Sequence, residues 1–409
     1  MRILLINHYA GSPEYGMEFR PYYLAREWQK EKHDVKIIAG SFSHLRIIQP
    51  KPGEEIIDGI KFLWLKTIKY KGNGVLRFFS IFQFILKLFV FTKKNSGEFN
   101  PDTVIASSTY PLDIFPAYLI AKRNKAKLVF ELHDMWPLTP MIIGGYSKYN
   151  PIIWLMQKAE NFACRKSNCY ISLLGNTKDY LVQHGLKEEK FFYIPNGFSS
   201  DEIHECGIPI PQEHQELLMR LKNESKILIG YAGSHAPSNA LKSLLFASSE
   251  LSGNDNISFV LVGNGSQKNE LIQIAKKNNQ KNIFFLPSVS KTSIPNLLSY
   301  FDILYAGGVC SILHSYGTSY NKLIDYMLAE KPIIFAVDEP NSLVEKVGCG
   351  IQIPAENVAA LIKSIKFISE LPDEKRITMG NKGRQYALKE LNYKSLAKKI
   401  IIAIDQSQP

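Results

Sequence analysis

The sequence predicts an α/β protein of two doubly wound, parallel-sheet domains, and three observations carry that prediction. A chain of 409 residues with 45% hydrophobic content is too long for one ordinary core and too apolar for disorder. Apolar runs of strand length alternate with longer stretches of helical periodicity, as expected of parallel strands joined by crossover helices. The alternation comes in two series, separated by a polar stretch at 201–226 that contains Pro209 and Pro211 and reads as a linker.

In the first series the strand RILLINH is followed by the helical pattern EFRPYYLAREWQKEK and the strand DVKIIAG, then by DTVIASS, KLVFELH, NCYISLL and FFYIPNG. MRILLINHYAG turns polar too soon to form a signal core and reads as a first buried strand. The second series runs KILIGYAG, ISFVLVGNG, NIFFLPS, FDILYA and KPIIFAV. The expected limits are residues 1–205 for the N-terminal domain, 206–226 for the linker and 227–385 for the second domain. No repeat of solenoid length and no low-complexity tract interrupts either series.

The five cysteines, Cys164, Cys169, Cys206, Cys310 and Cys349, are odd in number, widely spread and never in a C-x-x-C pair, which predicts free thiols in a reducing, cytoplasmic compartment. Of the net charge of +11, residues 1–200 hold +10, with 27 Lys and Arg against 17 Asp and Glu. Basic and aromatic residues do not recur in a nucleic-acid-reading motif, so no nucleic-acid partner is expected. An anionic lipid surface or a pyrophosphate-bearing substrate accounts better for the surplus.

Residues 75–94, VLRFFSIFQFILKLFVFTKK, are the most apolar stretch of the chain. Ser80, Gln83, Lys87 and Lys94 share one narrow helical stripe, which argues against a spanning helix. Two readings stay open: a crossover helix buried against the sheet, or an in-plane helix whose aromatics enter the lipid interface. The basic bias of the same half favours attachment to an anionic membrane surface through the N-terminal domain.

Ligands of doubly wound sheets bind outside the carboxyl ends of the strands, so the strand-to-helix turns are the candidate sites. The first, NHYAGSPEYGMEFR, has Gly11 and Gly16 but no G-x-G-x-x-G; it can hold phosphate or place Glu18 and Arg20 against an acceptor, or be an ordinary loop. The second, ELHDMWP, sets His133 and Asp134 at a strand end, where an imidazole can bond a hydroxyl or steady developing charge. The third, GYAGSHAPSNALKSLL, offers Gly233, Ser234, His235 and Asn239 ahead of a helix, and the next strand ends in VLVGNGSQ, where Gly263 and Gly265 permit close approach of a ligand. The fourth, HSYGTSYNKLIDYMLAEKPII, is the most specific: Tyr320, Asn321 and Lys322 open a helix and Asp325 follows three residues after the lysine on one face. A lysine there can neutralise a diphosphate and the acid can accept from ribose hydroxyls; the alternative is a surface salt bridge.

Taken together, IPNG at 194–197, YAGSH at 231–235, LVGNG at 261–265, SYNKLIDYMLAEKPII at 319–334 and DMWP at 134–137 resemble the retaining glycosyltransferases of family 4, in the bacterial branch that builds O-antigen, capsule and other surface polysaccharides. The resemblance implies the GT-B fold, two Rossmann-like domains facing a cleft, with the closing helix at 386–409 packing back on the first domain. It implies a sugar-nucleotide co-substrate, often a UDP-linked acetamido sugar, a lipid-linked or growing glycan acceptor, peripheral association with the inner face of the cell membrane, and no other cofactor. By position it places Lys322 at the donor diphosphate, Asp325 at the ribose and His133, with Asp134, beside the transferred sugar; Gly233, Ser234, His235, Asn239, Gly263, Tyr320, Asn321 and Leu323 complete the donor site. No D-x-D sequence occurs, in keeping with metal independence.

Two departures from the family pattern stand out. The first of its two usual acids falls on Gly317 and the second is Asp325 rather than Glu, and the arginine and lysine often found after the second domain's first strand are replaced by Ser234 and the NAL run at 239–241. A sugar-nucleotide epimerase of the same fold would not need a basic, aromatic-rich N-terminal half. A non-catalytic nucleotide-sugar-binding partner would not need Lys322, Asp325 and His133 together. A nicotinamide oxidoreductase would need the full glycine fingerprint.

Overall fold

The computed structural model describes residues 1–72, 74–94, 99–201, 208–224 and 226–407. The chain divides into two compact units, Met1–Gly197 with Tyr393–Pro409, and Phe198–Asn392. Both are doubly wound sheets with helices on their faces. Cys206 and most of the 201–207 segment lie outside the described residues.

In the first unit the strands are β1 (Arg2–Ile6), β2 (Asp34–Gly40), β3 (Gly53–Ile57), β4 (Ile60–Leu65), β5 (Thr103–Ala106), β6 (Lys127–Leu132), β7 (Cys169–Ser172) and β8 (Phe191–Tyr193), in the order β3-β4-β2-β1-β5-β6-β7-β8. Only β3 runs antiparallel, against β4. The central strands are near-continuous apolar runs because helices cover both faces, and β1 and β5 are almost wholly buried. Sequence reading overlooked β3 and β4. Their signal was an Asp-Gly turn, and both residues adopt positive φ, Asp58 at 49° and Gly59 at 82°, as a tight hairpin between right-twisting strands demands.

Helix α1 (Arg20–Lys30) buries Tyr22, Tyr23, Leu24, Ala25 and Trp28 on this sheet. The last helix, Tyr393–Gln406, lies beside it: Tyr23 and Tyr393 stack at 5.1 Å, and Trp28 Nε1 donates to the Ala397 carbonyl at 3.1 Å. The preceding helix, Asp373–Glu390, belongs to the second unit, whose core takes in Ala387 and Leu391, so the change of unit falls at 392–393 rather than at 386.

Helix α2 (Val75–Lys94) buries Ser80, Ile81, Phe84, Ile85 and Leu88. The opposite face presents Val75, Phe79, Leu86 and Val90 to the outside, with Phe79 59% and Leu86 64% exposed. The expected polar stripe is therefore not the outward face: Ser80 is buried, and Gln83 accepts from the Ile68 amide at 2.8 Å. The Lys94 side chain lies outside the described residues. By length and composition α2 is the one described helix apolar enough to cross a membrane.

In the second unit β9 (Ile227–Ala232), β10 (Ile257–Val262), β11 (Ile283–Leu286), β12 (Ile303–Gly307), β13 (Ile333–Ala336) and β14 (Gly350–Ile353) form a six-stranded sheet, β11-β10-β9-β12-β13-β14, with every pair parallel. The unit begins at Phe198, and much of the expected linker is helix: Gln212–Asn223 buries His214, Leu218 and Leu221 in the same unit. Strand β14 had no clear sequence signal, since GIQI is short and only half-buried. Strand order reverses between β1 and β5 in the first sheet and between β9 and β12 in the second, and these switch points are where such sheets hold ligands.

Candidate functional site

In the second unit the turn after β9 and the start of helix Asn321–Leu328 converge on Lys322. Its Nζ donates to Asn239 Oδ1 and, at 3.3 Å, to the Tyr231 hydroxyl. The ammonium also stands over the rings of Tyr231 at 4.9 Å and Tyr320 at 5.5 Å. Burial pulls it from 10.5 to about 8, and no carboxylate among the described residues pairs with it. A cation stripped of water and given only neutral partners is poised for an anion from outside the protein.

Asp325 does not share the lysine's environment. Its Oδ1 accepts from Lys291 Nζ at 2.6 Å, so the Lys322–Asp325 surface pair does not form although the two stand three residues apart on one helix. One helical turn separates the side chains, and each is drawn to a different neighbour. Asn321 is exposed at the helix start, whereas Leu323 is core.

The glycine turns serve packing rather than an open phosphate loop. A Cβ on Gly263 would meet the Gly233 carbonyl oxygen at 1.9 Å, and one on Gly265 the His235 backbone at 2.6 Å. The Gly233 amide donates to the Val262 carbonyl at 3.0 Å and the His235 amide to Asn264 at 2.9 Å, so both amides are taken by the neighbouring turn. His235 is buried with both ring nitrogens unpartnered, and burial, reinforced by Lys268, lowers it to about 4, which keeps it neutral. The Ser234 carbonyl accepts from the Tyr231 hydroxyl and the Asn239 amide, which fixes the two groups that receive Lys322.

Gly317 has φ 106° and ψ 169°, a region essentially closed to residues with a Cβ. An acid cannot stand there without rebuilding the turn, which accounts physically for its absence.

In the first unit the switch point joins the ends of β1, β5 and β6. Asn7 Nδ2 donates to the Ser107 carbonyl at 2.6 Å, and the His8 amide to Ser108 Oγ at 3.1 Å. His133 Nε2 lies 2.9 Å from Ser107 Oγ and 3.0 Å from Glu131 Oε2, while Ser107 donates its own proton to Glu131 at 2.6 Å. That pattern assigns the ring proton to Nε2 and leaves the Nδ1 lone pair for a ligand. Glu131 Oε1 in turn receives Arg20 Nε and Nη2 at 3.1 and 2.9 Å. Burial would raise this carboxyl, but the Arg20 guanidinium and His133 hold it well below the usual carboxylate range.

Several first-unit expectations are corrected by this geometry. Arg20 is buried, bound to Glu131 and to the Pro195 and Ile194 carbonyls, and faces no acceptor. Asp134 is spent on its own turn, accepting from the Met135 amide, the Thr139 hydroxyl and the Trp136 indole. A Cβ on Gly11 would meet the Gly16 carbonyl at 1.8 Å, so these glycines close their own loop, and Glu18 ties it by backbone bonds to Gly11 and Tyr9. Ser107, Glu131 and Asn7 were overlooked; the Ser-Ser pair ending DTVIASS, at the second strand of a switch point, was the signal available. Among the described residues no cluster of three or more metal-binding side chains occurs.

Residues 15–202 match the profile of Glycosyltransferase Family 4 and residues 218–386 that of Glycosyl transferases group 1. No curated protein is significantly similar in sequence. Among solved structures the chain is similar to HepE of Anabaena in complex with UDP-glucose (15% identity, 99% of this chain and 100% of that one, TM-score 0.67). It is similar also to sucrose-phosphate synthase of Thermosynechococcus elongatus (14%, 99% and 99%, TM-score 0.73) and to WaaG, a glycosyltransferase involved in lipopolysaccharide biosynthesis (14%, 98% and 99%, TM-score 0.65). At such identities the likeness shows the fold, GT-B, while the two profiles follow one another along most of the sequence: the chain is a glycosyltransferase, with a Family 4 region followed by a group 1 region.

Proposed function

We propose that this glycosyltransferase moves a sugar, an acetamido sugar in our reading, from a UDP donor to a lipid-linked or growing glycan in bacterial surface-polysaccharide synthesis, with retention of configuration and without a metal. The observation that carries the donor half is Lys322, a desolvated ammonium with neutral partners only, at the switch point of a doubly wound sheet. A diphosphate supplies the charge it lacks. Asp325, steadied by Lys291, offers its second oxygen to ribose hydroxyls. The HepE complex with UDP and glucose supports the choice of uridine, and WaaG supports the surface-polysaccharide setting.

In this reading the acceptor oxygen attacks the anomeric carbon on the face the diphosphate leaves. Its proton passes to the departing phosphate oxygen, so no protein base is consumed, and Lys322 neutralises the leaving charge. His133, aligned by Glu131, accepts from a sugar hydroxyl through Nδ1. The exposed apolar face of α2, on the half with the basic surplus, supports peripheral attachment to the inner face of the cell membrane.

The test is a thermal-shift screen against UDP, GDP, ADP and their sugar conjugates, without metal and then with magnesium. Stabilisation by uridine nucleotides alone, with no need of metal, is the expected result. No shift with any nucleotide refutes the donor site.

A further inference from the structure

One carboxylate beside this site has no assigned task. Glu339 lies in the loop after β13, half-buried, and its close donors both belong to Thr318, the hydroxyl at 2.6 Å from Oε2 and the backbone amide. No cation pairs with it directly; Lys346 acts only at a distance, and burial raises the group. The loop is held firmly: the Glu339 amide donates to the Val337 carbonyl at 2.9 Å, and Gln352 Nε2 spans the carbonyls of Val337 and Glu339 at 2.8 and 2.6 Å. Such bracing aims a side chain that has little reason to be there for stability, since a half-buried carboxylate without a counter-ion is a cost.

Its position suggests the ligand. Thr318 stands between Gly317 and Tyr320, and the Tyr320 ring covers the Lys322 ammonium. A Cβ on Gly308, at the end of β12, would meet the Tyr320 hydroxyl and His314 at 2.9 Å, so these groups crowd one small region ahead of the helix start. In the donor-site reading, with the ribose at Asp325 and the diphosphate at Lys322, the transferred group lies on the side of the diphosphate away from the ribose, ahead of the helix start and towards residues 317–320. A pyranose there presents hydroxyl donors, and a carboxylate is acceptor only.

We propose that Glu339 binds the transferred sugar, accepting from its hydroxyls through the carboxylate lone pairs that the Thr318 hydroxyl and amide leave open. The assignment rests on the donor-site reading above and adds to it the residue that distinguishes a sugar nucleotide from a bare one. Thr318 is the positioning residue.

The experiment is calorimetric titration of the full chain and of Glu339→Gln and Thr318→Val with UDP, UDP-glucose and UDP-N-acetylglucosamine. The expected result is an unchanged Kd for UDP in both variants, with the preferred UDP-sugar weakened about tenfold or more in Glu339→Gln, the loss of a charged hydrogen bond, and less in Thr318→Val. Equal weakening of UDP and UDP-sugar in both variants makes Glu339 a structural brace and overturns the assignment. So does an unaltered preference for UDP-sugar over UDP. A wild-type protein that binds no uridine nucleotide overturns the donor-site reading as well, so the two failures are told apart.

Discussion

Replacing Lys322 by Met separates what the ammonium costs the empty protein from what it contributes to a bound diphosphate. Burial lowers the group from 10.5 to about 8, which corresponds to about 3 kcal/mol against the charged form. Because the folded value lies below the unfolded one, this penalty is fully present below pH 8, shrinks as pH rises from 8 towards 10.5, and vanishes above. The bonds to Asn239 and Tyr231 and the two aromatic faces offset about 1 to 2 kcal/mol of it. Methionine has similar volume and leaves no cavity. The empty variant is thus expected to gain about 1 to 2 kcal/mol at pH 7 and less at pH 9, read by urea unfolding. Affinity for a UDP-sugar is expected to fall by about 1.5 to 3 kcal/mol, read by calorimetry. In the wild type the same affinity weakens as pH rises through 8, because only the ammonium attracts the diphosphate. A variant that loses stability at pH 7 while keeping donor affinity refutes the reasoning: Lys322 would then be satisfied by its protein neighbours.

Glu131→Gln leaves the Arg20 guanidinium buried beside a neutral amide, and a loss of about 3 to 5 kcal/mol in the urea unfolding of the first unit is expected. With its folded value far below the ordinary carboxylate range, Glu131 stabilises the protein above that range, and the contribution disappears as pH falls through the folded value. His133→Ala is expected to lower turnover while the bare nucleotide binds as before; collapse of UDP binding would misplace the residue. Gly317→Glu forces a side chain into glycine-only backbone space, and is expected to cost about 1 to 3 kcal/mol of stability in denaturant titration without raising transfer. Leu86→Ser with Val90→Ser removes exposed apolar area from α2 and is expected to reduce co-sedimentation with anionic vesicles, while equal partitioning of variant and wild type would leave that face without a membrane role.

The periodicity of apolar runs determined the architecture, because a parallel strand covered on both faces must be apolar throughout, and RILLI or ISFVLV leave little choice. Lys322 was legible for a related reason: a lysine at the start of an amphipathic helix whose next residues, Leu323 and Ile324, are core has few directions in which to point. The edge hairpin was overlooked although Asp58-Gly59 marks its turn, because its strands are only partly buried and their apolar alternation is faint.

What the chain pattern could not decide was the partner of each polar group, because that depends on residues brought together from far apart in sequence. Arg20 reads as an acceptor contact at the first strand-to-helix turn, and only the approach of β6, 111 positions away, makes it the buried counter-ion of Glu131. Lys322 and Asp325 share a helix but part because Asn239 and Lys291, 83 and 34 positions distant, lie on different sides. Gly263 reads like Gly233, a turn open to ligand, until the two are found pressed against each other at a distance no Cβ permits. Local sequence determined most of the strands and helices, since those follow from nearest-neighbour periodicity. Which charges are paired, which are buried and which await a ligand is a property of the packed core, where the cost of an unpartnered charge is set by everything that excludes water from it.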